Sequence, residues 1–328
     1  TIGEKRAIAA LAVATMIICA VGVFIDIAVI TVAPIALAIG ERAGLSKSGI
    51  LLAMIGGGKA GNIVSPNPNT IAVTEAFKLD LTAVMMKNLI PALCALIATI
   101  VLASLLAKKA GDGISQNDLE AAPAEKLPNA LQAFAGPLTV IVLLALRPLA
   151  KISVDPLIAL PLGGLVCILV TGNIRNLIPY TDFGLSKVIG VAILLIGTGT
   201  IAGIIKASAL QKDMTALLSA MNMPAFILAP LSGILMAAAT ASTTAGSTVA
   251  SQTFSGTLLS AGVPALSAAA MIHAGATVLD SLPHGSFFHA TGGSVYMDIK
   301  NRMKLIPFEA LIGLTSTIVA VILYLVAA

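Results

Sequence analysis

The sequence contains no tryptophan, and charged residues make up only 10% of its 328 positions. It has three tyrosines, whereas 58% of the residues are hydrophobic and the mean hydropathy is +1.01. Soluble globular domains have about 45–50% apolar and about 25% charged residues. The shortage of charge therefore excludes an ordinary soluble domain and predicts an integral membrane protein, which has few aromatic residues for an interfacial belt.

Cysteine is also scarce, because Cys19, Cys94 and Cys167 are the only three and each lies in an apolar run. The absence of a C-x-x-C pair argues against a disulfide framework or a zinc ribbon. The net charge is only +4, and the basic residues fall in loops, so nucleic-acid binding has no support. We expect no cofactor, no metal and no enzymatic activity.

The apolar runs indicate a helical class, since they are too long for the alternating strands of a membrane barrel. A full crossing takes about 20 residues, and several runs are shorter. Two pairs of short runs predict re-entrant hairpins, 7–22 with 27–40 and 224–239 with 247–261. Residues 214–221 predict an interfacial amphipathic helix. The other runs are 48–57, 88–107, 137–150, 156–171, 188–205, 264–279 and 305–327.

Two halves of the sequence share one spacing of unusual features. In both, a polar hairpin tip precedes a proline by 40 residues, and a long apolar run begins 22 residues after that proline. The positions are Asp26, Pro66 and Asn88 in the first half and Thr243, Pro283 and Leu305 in the second. Broken helices at corresponding positions are typical of secondary transporters. We predict a first repeat at 1–107, a polar cytoplasmic linker at 108–135 and a second repeat at 136–328.

Charge placement predicts how the repeats are oriented. With the first hairpin opening to the cytoplasm, twelve Lys and Arg residues fall on the cytoplasmic side and six on the other, as the positive-inside rule requires. The repeats are then inverted, and we expect a multi-pass protein of the inner membrane. The second half has about 87 residues before its hairpin, whereas the first has six, so we expect that an N-terminal portion is missing.

The stretch N-I-V-S-P-N-P-N-T is expected to break a membrane helix. Proline removes a backbone donor and pushes the preceding residue out of helical geometry. The freed carbonyls and amides must line protein or a wet cavity, where they can bind an ion or an anion. The alternative is a proline kink satisfied by its own side chains. The predicted substrate contacts here are Ser65, Asn67, Asn69 and Thr70, and Asn62 is a possible site residue.

The tip of the second hairpin, T-A-S-T-T-A-G-S-T, offers hydroxyl groups opposite the first hairpin. We predict substrate contacts there, although small residues also serve close helix packing in membranes. The predicted contacts are Ser242, Thr243, Thr244, Ser247 and Thr248.

Ionisable residues in apolar surroundings are the candidates for proton coupling. Asp26 is one, since an intramembrane carboxylate is costly and by default functional, although it could instead cap the second hairpin arm. Asp280 and His284 in the second break are the others. Histidine suits a proton relay because it titrates near neutral pH. We expect Ser281 to contact substrate.

Three further residues have both a functional and a structural interpretation. Lys59 could pair with a substrate carboxylate or with Asp26, or merely extend towards the interface. His289 is a possible site residue, and His273 is the best candidate for a structural hydrogen bond. His284 and His289 are five apart without an H-E-x-x-H pattern, so a metal site is not expected.

Several stretches resemble the gluconate permease family of the ion-transporter superfamily. They are G-K-A-G-N-I-V-S-P-N-P-N-T, G-T-G-T-I-A-G-I-I-K-A-S, A-S-T-T-A-G-S-T-V-A, D-S-L-P-H-G-S-F-F-H-A-T-G-G-S and F-I-D-I-A-V-I. S-P-N-P-N-T and L-P-H-G-S-F-F differ from the family's usual P-P-x-P-G-P and N-D-x-G-F-W segments. The resemblance implies proton symport of gluconate or another small carboxylate by an elevator-type fold, in a homodimer.

Other functions are left open by the residues. The same fold could couple to Na⁺, since hydroxyls and freed carbonyls occur at both hairpin tips. A membrane-embedded hydrolase using Asp280, His284 and His289 lacks a nucleophile elbow. A passive channel is disfavoured because opposed hairpins would occlude the site.

Overall fold

The computed structural model of the chain describes residues 6–109, 112–115, 118, 129–150, 152, 154–220 and 223–327. The chain divides into two compact units, residues 1–120 with 197–328 and residues 121–196. Helices form the regular structure of the described residues, with one isolated bridge between Ser46 and Gly113. The prediction of an all-α protein is confirmed for this part of the chain.

The helices occur in two sets that have the same order. Each set has a helix pair, two helices separated by a break, a short helix and a long helix. The first set is α1 (Ala7–Ala20), α2 (Ile25–Arg42), α3 (Lys47–Asn62), α4 (Pro68–Phe77), α5 (Leu81–Lys87) and α6 (Leu89–Lys109). Between the sets lie α7 (Ala130–Ala150), α8 (Pro156–Val170), α9 (Leu177–Ala207) and α10 (Leu210–Ala220). The second set is α11 (Leu228–Thr240), α12 (Thr243–Ser260), α13 (Ala265–Gly275), α14 (Ser286–Gly293), α15 (Ile299–Met303) and α16 (Ile306–Ala327).

The helices of the two sets also make corresponding contacts. α1 packs on α3 as α11 packs on α13, and α3 packs on α6 as α13 packs on α16. The sets exchange contacts as well, because α12 packs on α4, α2 packs on α14, and the two long helices α6 and α16 pack together. The common order extends the spacing found in the sequence, while the repeat boundaries and their inversion across the membrane stay predictions.

The smaller unit contains the pair α7 and α8, which pack closely on each other. The approach is closest at two glycines, since a Cβ built on Gly136 would lie 2.9 Å from the Gly163 carbonyl oxygen. Val140, Leu144 and Ala159 form a buried apolar cluster in this unit.

A proline lies at, or shortly before, the start of the helix that follows each break. α3 ends at Asn62, and α4 begins at Pro68, which occupies the first turn where a missing N–H costs nothing. In the second set, α13 ends at Gly275, and α14 begins only at Ser286, beyond Pro283. The two predicted helix interruptions are therefore present.

Several helix boundaries differ from those expected from hydropathy. The short helices α5 and α15 were not predicted, because segments of seven and five residues are too short to stand out as apolar runs. α7 begins at Ala130 rather than at 137, and α9 begins at Leu177 rather than at 188. The additional residues at the start of both helices include polar ones, which lower the local hydropathy but which a helix accommodates. α10 overlaps the amphipathic helix expected at 214–221, of which residue 221 lies outside the described residues.

Large apolar side chains lie exposed along the long helices of both sets. By length and composition, the segments Leu89–Lys108 and Ile299–Ala327 qualify as membrane crossings among the described residues. On α6 the exposed residues recur at helical spacing, at Leu89, Leu93, Ile97, Val101 and Leu105. A soluble monomer rarely leaves so continuous an apolar face in water. The stripe therefore fits contact with lipid.

Both helix pairs lie against the broken helices through glycine. A Cβ on Gly57 of α3 would lie 2.1 Å from the carbonyl oxygen of Ala12 in α1. In the second set, a Cβ on Gly275 would lie 2.5 Å from the carbonyl oxygen of Pro230 in α11. Such close backbone approach is how membrane helices gain van der Waals contact without a hydrophobic driving force.

An ion pair is buried next to the second break. Arg302 of α15 and Glu309 of α16 are each 1% exposed and bond through the Arg302 Nη1 and Glu309 Oε1 atoms. The guanidinium also donates to the Phe288 carbonyl oxygen at 3.3 Å and lies 4.7 Å from the centre of the Phe288 ring. Arg302 thereby fixes α14 against the start of α16, although the sequence placed it among the loop charges.

The N-terminus of α3 is held by residues of the segment after α6. The Ser46 hydroxyl accepts from the Gly49 amide, and the Asp112 carboxylate accepts from the Ser48 amide at 2.9 Å. Lys47 pairs with Asp118 at 2.7 Å. The hydrogen bond from Lys47 is the main cause that holds the pKa of Asp118 below its usual range. Helix capping and an ion pair therefore stabilise this N-terminus outside the apolar core.

The contact between α1 and α3 predicts that Gly57→Ala is destabilising. The added methyl group would meet backbone atoms of Ala12, which cannot move like a side chain, so we expect a loss of about 1–3 kcal/mol in unfolding free energy. Thermal unfolding in detergent measures the effect. Gly256→Ala on α12 is the control, because its methyl group meets nothing within 4 Å. Equal melting temperatures for the two variants would contradict the packing account.

Candidate functional site

The first break is closed by side chains of its own sequence. The Asn67 carboxamide caps α4 by accepting from the Thr70 amide at 3.0 Å, and its nitrogen donates to the Asn62 carbonyl oxygen at 2.9 Å. The Thr70 hydroxyl donates to the Ser65 carbonyl oxygen at 2.6 Å. These bonds satisfy backbone oxygens that the interruption leaves without helical partners, as a membrane interior requires.

The tip of the second helix pair lies on the second break. α11 ends at Thr240, and Ala241 adopts a left-handed conformation with φ of 45°. Ser242 then caps α12, its hydroxyl accepting from the Ala245 amide at 3.3 Å. A Cβ on Gly285 would lie 2.5 Å from the Ala241 carbonyl oxygen, so the tip and the break meet at their backbones.

An ion pair joins the two broken helices. The Lys59 ammonium of α3 lies 2.5 Å from the Asp280 Oδ1 atom in the second break, and both side chains are at most 2% exposed. Lys59 also donates to the Thr277 carbonyl oxygen at 2.6 Å. The Asp280 carboxylate further accepts from the hydroxyls of Thr243 at 2.6 Å and Ser281 at 2.9 Å. Three segments, the end of α3, the start of α12 and the second break, thus meet at one buried carboxylate.

A second polar contact joins the first break to the second helix pair. The Thr244 hydroxyl donates to the Asn69 Oδ1 atom, and the Asn69 Nδ2 atom donates to Asn62 Oδ1 at 3.0 Å. Asn69 lies in the first turn of α4, and Thr244 lies in the first turn of α12. The N-termini of two helices therefore meet, and each carries the positive end of a helix dipole.

Two polar groups beside this junction are buried without a partner. The Asn62 Nδ2 atom and the Ser65 hydroxyl have no hydrogen bond to any described residue, although both side chains are at most 1% exposed. A buried donor without a partner costs free energy and calls for an explanation such as a ligand. Both groups can donate to the oxygens of an anion.

The remaining hydroxyls of the second tip bond within their own helix. Ser247 and Thr248 donate to the Thr244 carbonyl oxygen at 3.2 Å and 2.7 Å. Both are buried one turn into α12. They line the same helix end as Thr243 and Thr244, with their donors already used.

Asp26 lies at the start of α2, apart from the pair of Lys59 and Asp280. Its Oδ1 atom accepts from the Ile27 amide at 2.9 Å, and no hydrogen bond between described residues joins it to Lys59. Phe24 holds the N-cap position of α2, two residues before Asp26. The alternative that Asp26 caps the second hairpin arm is therefore wrong. A carboxylate in the first turn still interacts favourably with the helix dipole.

The three histidines occupy different surroundings. His284 and His289 are exposed, and His289 Nε2 lies 2.8 Å from the Pro283 carbonyl oxygen. His273 is fully buried in α13, and neither ring nitrogen has a hydrogen bond to a described residue. The prediction that His273 makes a structural hydrogen bond is therefore wrong, whereas His289 does contact a backbone oxygen. No group of three His, Cys, Asp or Glu residues in the described part of the chain is placed to hold a metal ion.

Two features of the site were missed by sequence reasoning. The Thr277 carbonyl oxygen binds Lys59, yet a backbone oxygen carries no sequence signal beyond its position in the break. The hydrogen bond from Thr244 to Asn69 likewise depends on tertiary packing. The sequence placed Asn69 and Thr244 at the site but could not show that they would meet.

Comparison with known proteins identifies the family. The model of the GntP family permease matches residues 1–327. A protein of Haemophilus influenzae named an uncharacterized transporter is 58% identical over 323 residues, which cover 98% of this chain and 77% of the relative. With its exposed apolar helices and buried polar breaks, the chain is a multi-pass membrane transporter, and it belongs to the GntP permease family.

Proposed function

We propose that the protein imports a small organic anion, such as gluconate or a related sugar acid, by proton symport and without chemical change of the substrate. The anion binds where α4 and α12 meet, beside the first break. Its coupling residue is Asp280, and Lys59 provides the compensating positive charge.

One observation carries the anion assignment. Asn62 Nδ2 and the Ser65 hydroxyl are buried without partners among the described residues, and they lie next to the joined N-termini of two helices. Helix N-termini favour negative charge, and unpartnered donors favour an acceptor-rich ligand. A carboxylate or a polyhydroxy acid meets both conditions, whereas an apolar or cationic ligand would leave the donors unsatisfied.

The proton assignment is supported by the position of Asp280. Its carboxylate is the only acidic group bonded to Lys59 among the described residues. Protonation of Asp280 would leave the Lys59 ammonium free to offset the charge of the substrate. Asp26, at the start of α2, and His284, exposed beside the second break, are secondary candidates because neither bonds to this pair in the described structure.

The architecture that we propose is an inverted repeat working as an elevator. The first repeat extends to residue 107, residues 108–135 form a cytoplasmic linker, and the second repeat covers 136–328. α1, of 14 residues, and α11, of 13 residues, span about 20 Å as helices, which is less than the roughly 30 Å of a bilayer core. Their lengths support re-entrant hairpins. We further propose a homodimer in the inner membrane.

Loss of an unpartnered donor is expected to weaken substrate affinity. A hydrogen bond to a charged group contributes about 1.5–3 kcal/mol, so Ser65→Ala should raise the apparent KM for uptake about 10- to 100-fold. Uptake of a labelled sugar acid into proteoliposomes measures this. Ser251→Ala is the matched control, because that buried hydroxyl bonds to Thr248 within its own helix. An unchanged KM in Ser65→Ala would remove this serine from the site.

Removal of the charged pair is expected to abolish proton coupling. The double variant Lys59→Met with Asp280→Asn leaves no unpaired buried charge, so folding is spared the cost of a lone ion. Wild-type protein should accumulate substrate under an imposed pH gradient at constant Na⁺, and the double variant should not. Asp298→Asn, at an exposed helix cap, is the control and should retain accumulation. Gradient-dependent accumulation by the double variant would contradict the assignment, and a requirement for Na⁺ at fixed pH would favour the sodium-coupled alternative.

A further inference from the structure

The surroundings of the Lys59 ammonium have the composition of a cation site. Its nitrogen lies 2.5 Å from a carboxylate oxygen of Asp280 and 2.6 Å from the carbonyl oxygen of Thr277. Carboxylate and carbonyl oxygens are the ligands that hard metal cations take in proteins. The three elements involved are the end of α3, the residues after α13 and, through Thr243, the start of α12.

The positions of these oxygens are fixed by groups other than Lys59. The Asp280 carboxylate is oriented by the hydroxyls of Thr243 and Ser281. The Thr277 carbonyl packs closely against α16, since a Cβ built on Gly313 would lie 2.5 Å from its oxygen. Shortening Lys59 would therefore leave both acceptors in place, facing the volume that the ammonium occupied.

We infer that Asp280 and Thr277 form a monovalent-cation site that the chain fills with its own Lys59 ammonium. A free cation occupies the site when that ammonium is removed. The inference rests on the proposed function for the role of Asp280. It explains why the coupling ion there is a proton, because the Lys59 ammonium already occupies the position that Na⁺ would take. Lys59 is the only charged side chain bonded to Asp280 among the described residues.

Cation rescue of Lys59→Ala tests the inference. Purified protein in detergent is melted at constant ionic strength in choline, methylammonium, sodium or potassium chloride. We expect Lys59→Ala to melt below wild type in choline, because Asp280 has lost its partner. Methylammonium or an alkali cation at saturating concentration should raise its melting temperature by about 5 °C, since a ligand of the folded state stabilises it. Wild type should not distinguish the cations.

Two further variants separate a specific site from general salt effects. Lys47→Ala removes an ammonium that also bonds a carboxylate and a carbonyl, those of Asp118 and Tyr296, but at 13% side-chain exposure. It should show no cation-specific rescue, because water already solvates that carboxylate. Adding Asp280→Asn to Lys59→Ala should abolish the rescue.

A Lys59→Ala protein that is insensitive to every cation, or a wild type stabilised specifically by Na⁺, would overturn the inference. If Lys59→Ala does not fold, Lys59→Met keeps the volume of the side chain. Adding Asp280→Asn to Lys59→Met should then raise the melting temperature, because the buried carboxylate without its partner is removed. No rise on adding Asp280→Asn would also overturn the inference. Failure of proton-driven uptake, by contrast, would remove the proposed function and leave these melting results unaffected.

Discussion

The ion pair between Lys59 and Asp280 is the contact on which the central part of the molecule depends. It crosses from the first broken helix to the second, and Thr243 adds the tip of the second helix pair to the same carboxylate. A buried charge without its partner is strongly destabilising, so each of these segments constrains the others. The charged pair therefore acts as a structural joint, and any event that neutralises Asp280 changes how the segments are held.

The breaks are tolerable in a membrane because the freed backbone groups are satisfied locally. Asn67 and Thr70 close the first break by bonding to the carbonyl oxygens of Asn62 and Ser65. Glycines let the helix pairs approach the broken helices at backbone distance. The Asn62 Nδ2 atom and the Ser65 hydroxyl, beside the junction of α4 and α12, have no such partner among the described residues, and we propose that a ligand binds to them.

The sequence predicted the fold best where composition imposes a strong constraint. Prolines at 66 and 283 predicted both breaks, and the equal spacing to Asn88 and Leu305 predicted the starts of α6 and α16 within one residue. The short helices α5 and α15 were missed because hydropathy has no signal for such short segments. Helix pairing across the two sets was not predictable, since it depends on tertiary packing.

The sequence predicted which residues belong to the site better than it predicted which of them bond to each other. Asp280 and Lys59 were each proposed from their rarity in apolar surroundings, but a sequence does not tell which cation meets which anion. Lys59 pairs with Asp280 rather than with Asp26 because α3 and the second break lie side by side. The burial of Arg302 was unexpected for a similar reason, as its partner Glu309 lies two turns further along the chain.

The central claim is that anion binding and protonation occur at one site held together by this ion pair. Proton uptake on binding of a sugar acid to the purified protein tests it most directly, measured by calorimetry in buffers of different ionisation enthalpy near neutral pH. We predict uptake of about one proton per bound anion, because neutralising Asp280 frees Lys59 for the substrate. Binding of the anion with no change in bound protons would contradict the account.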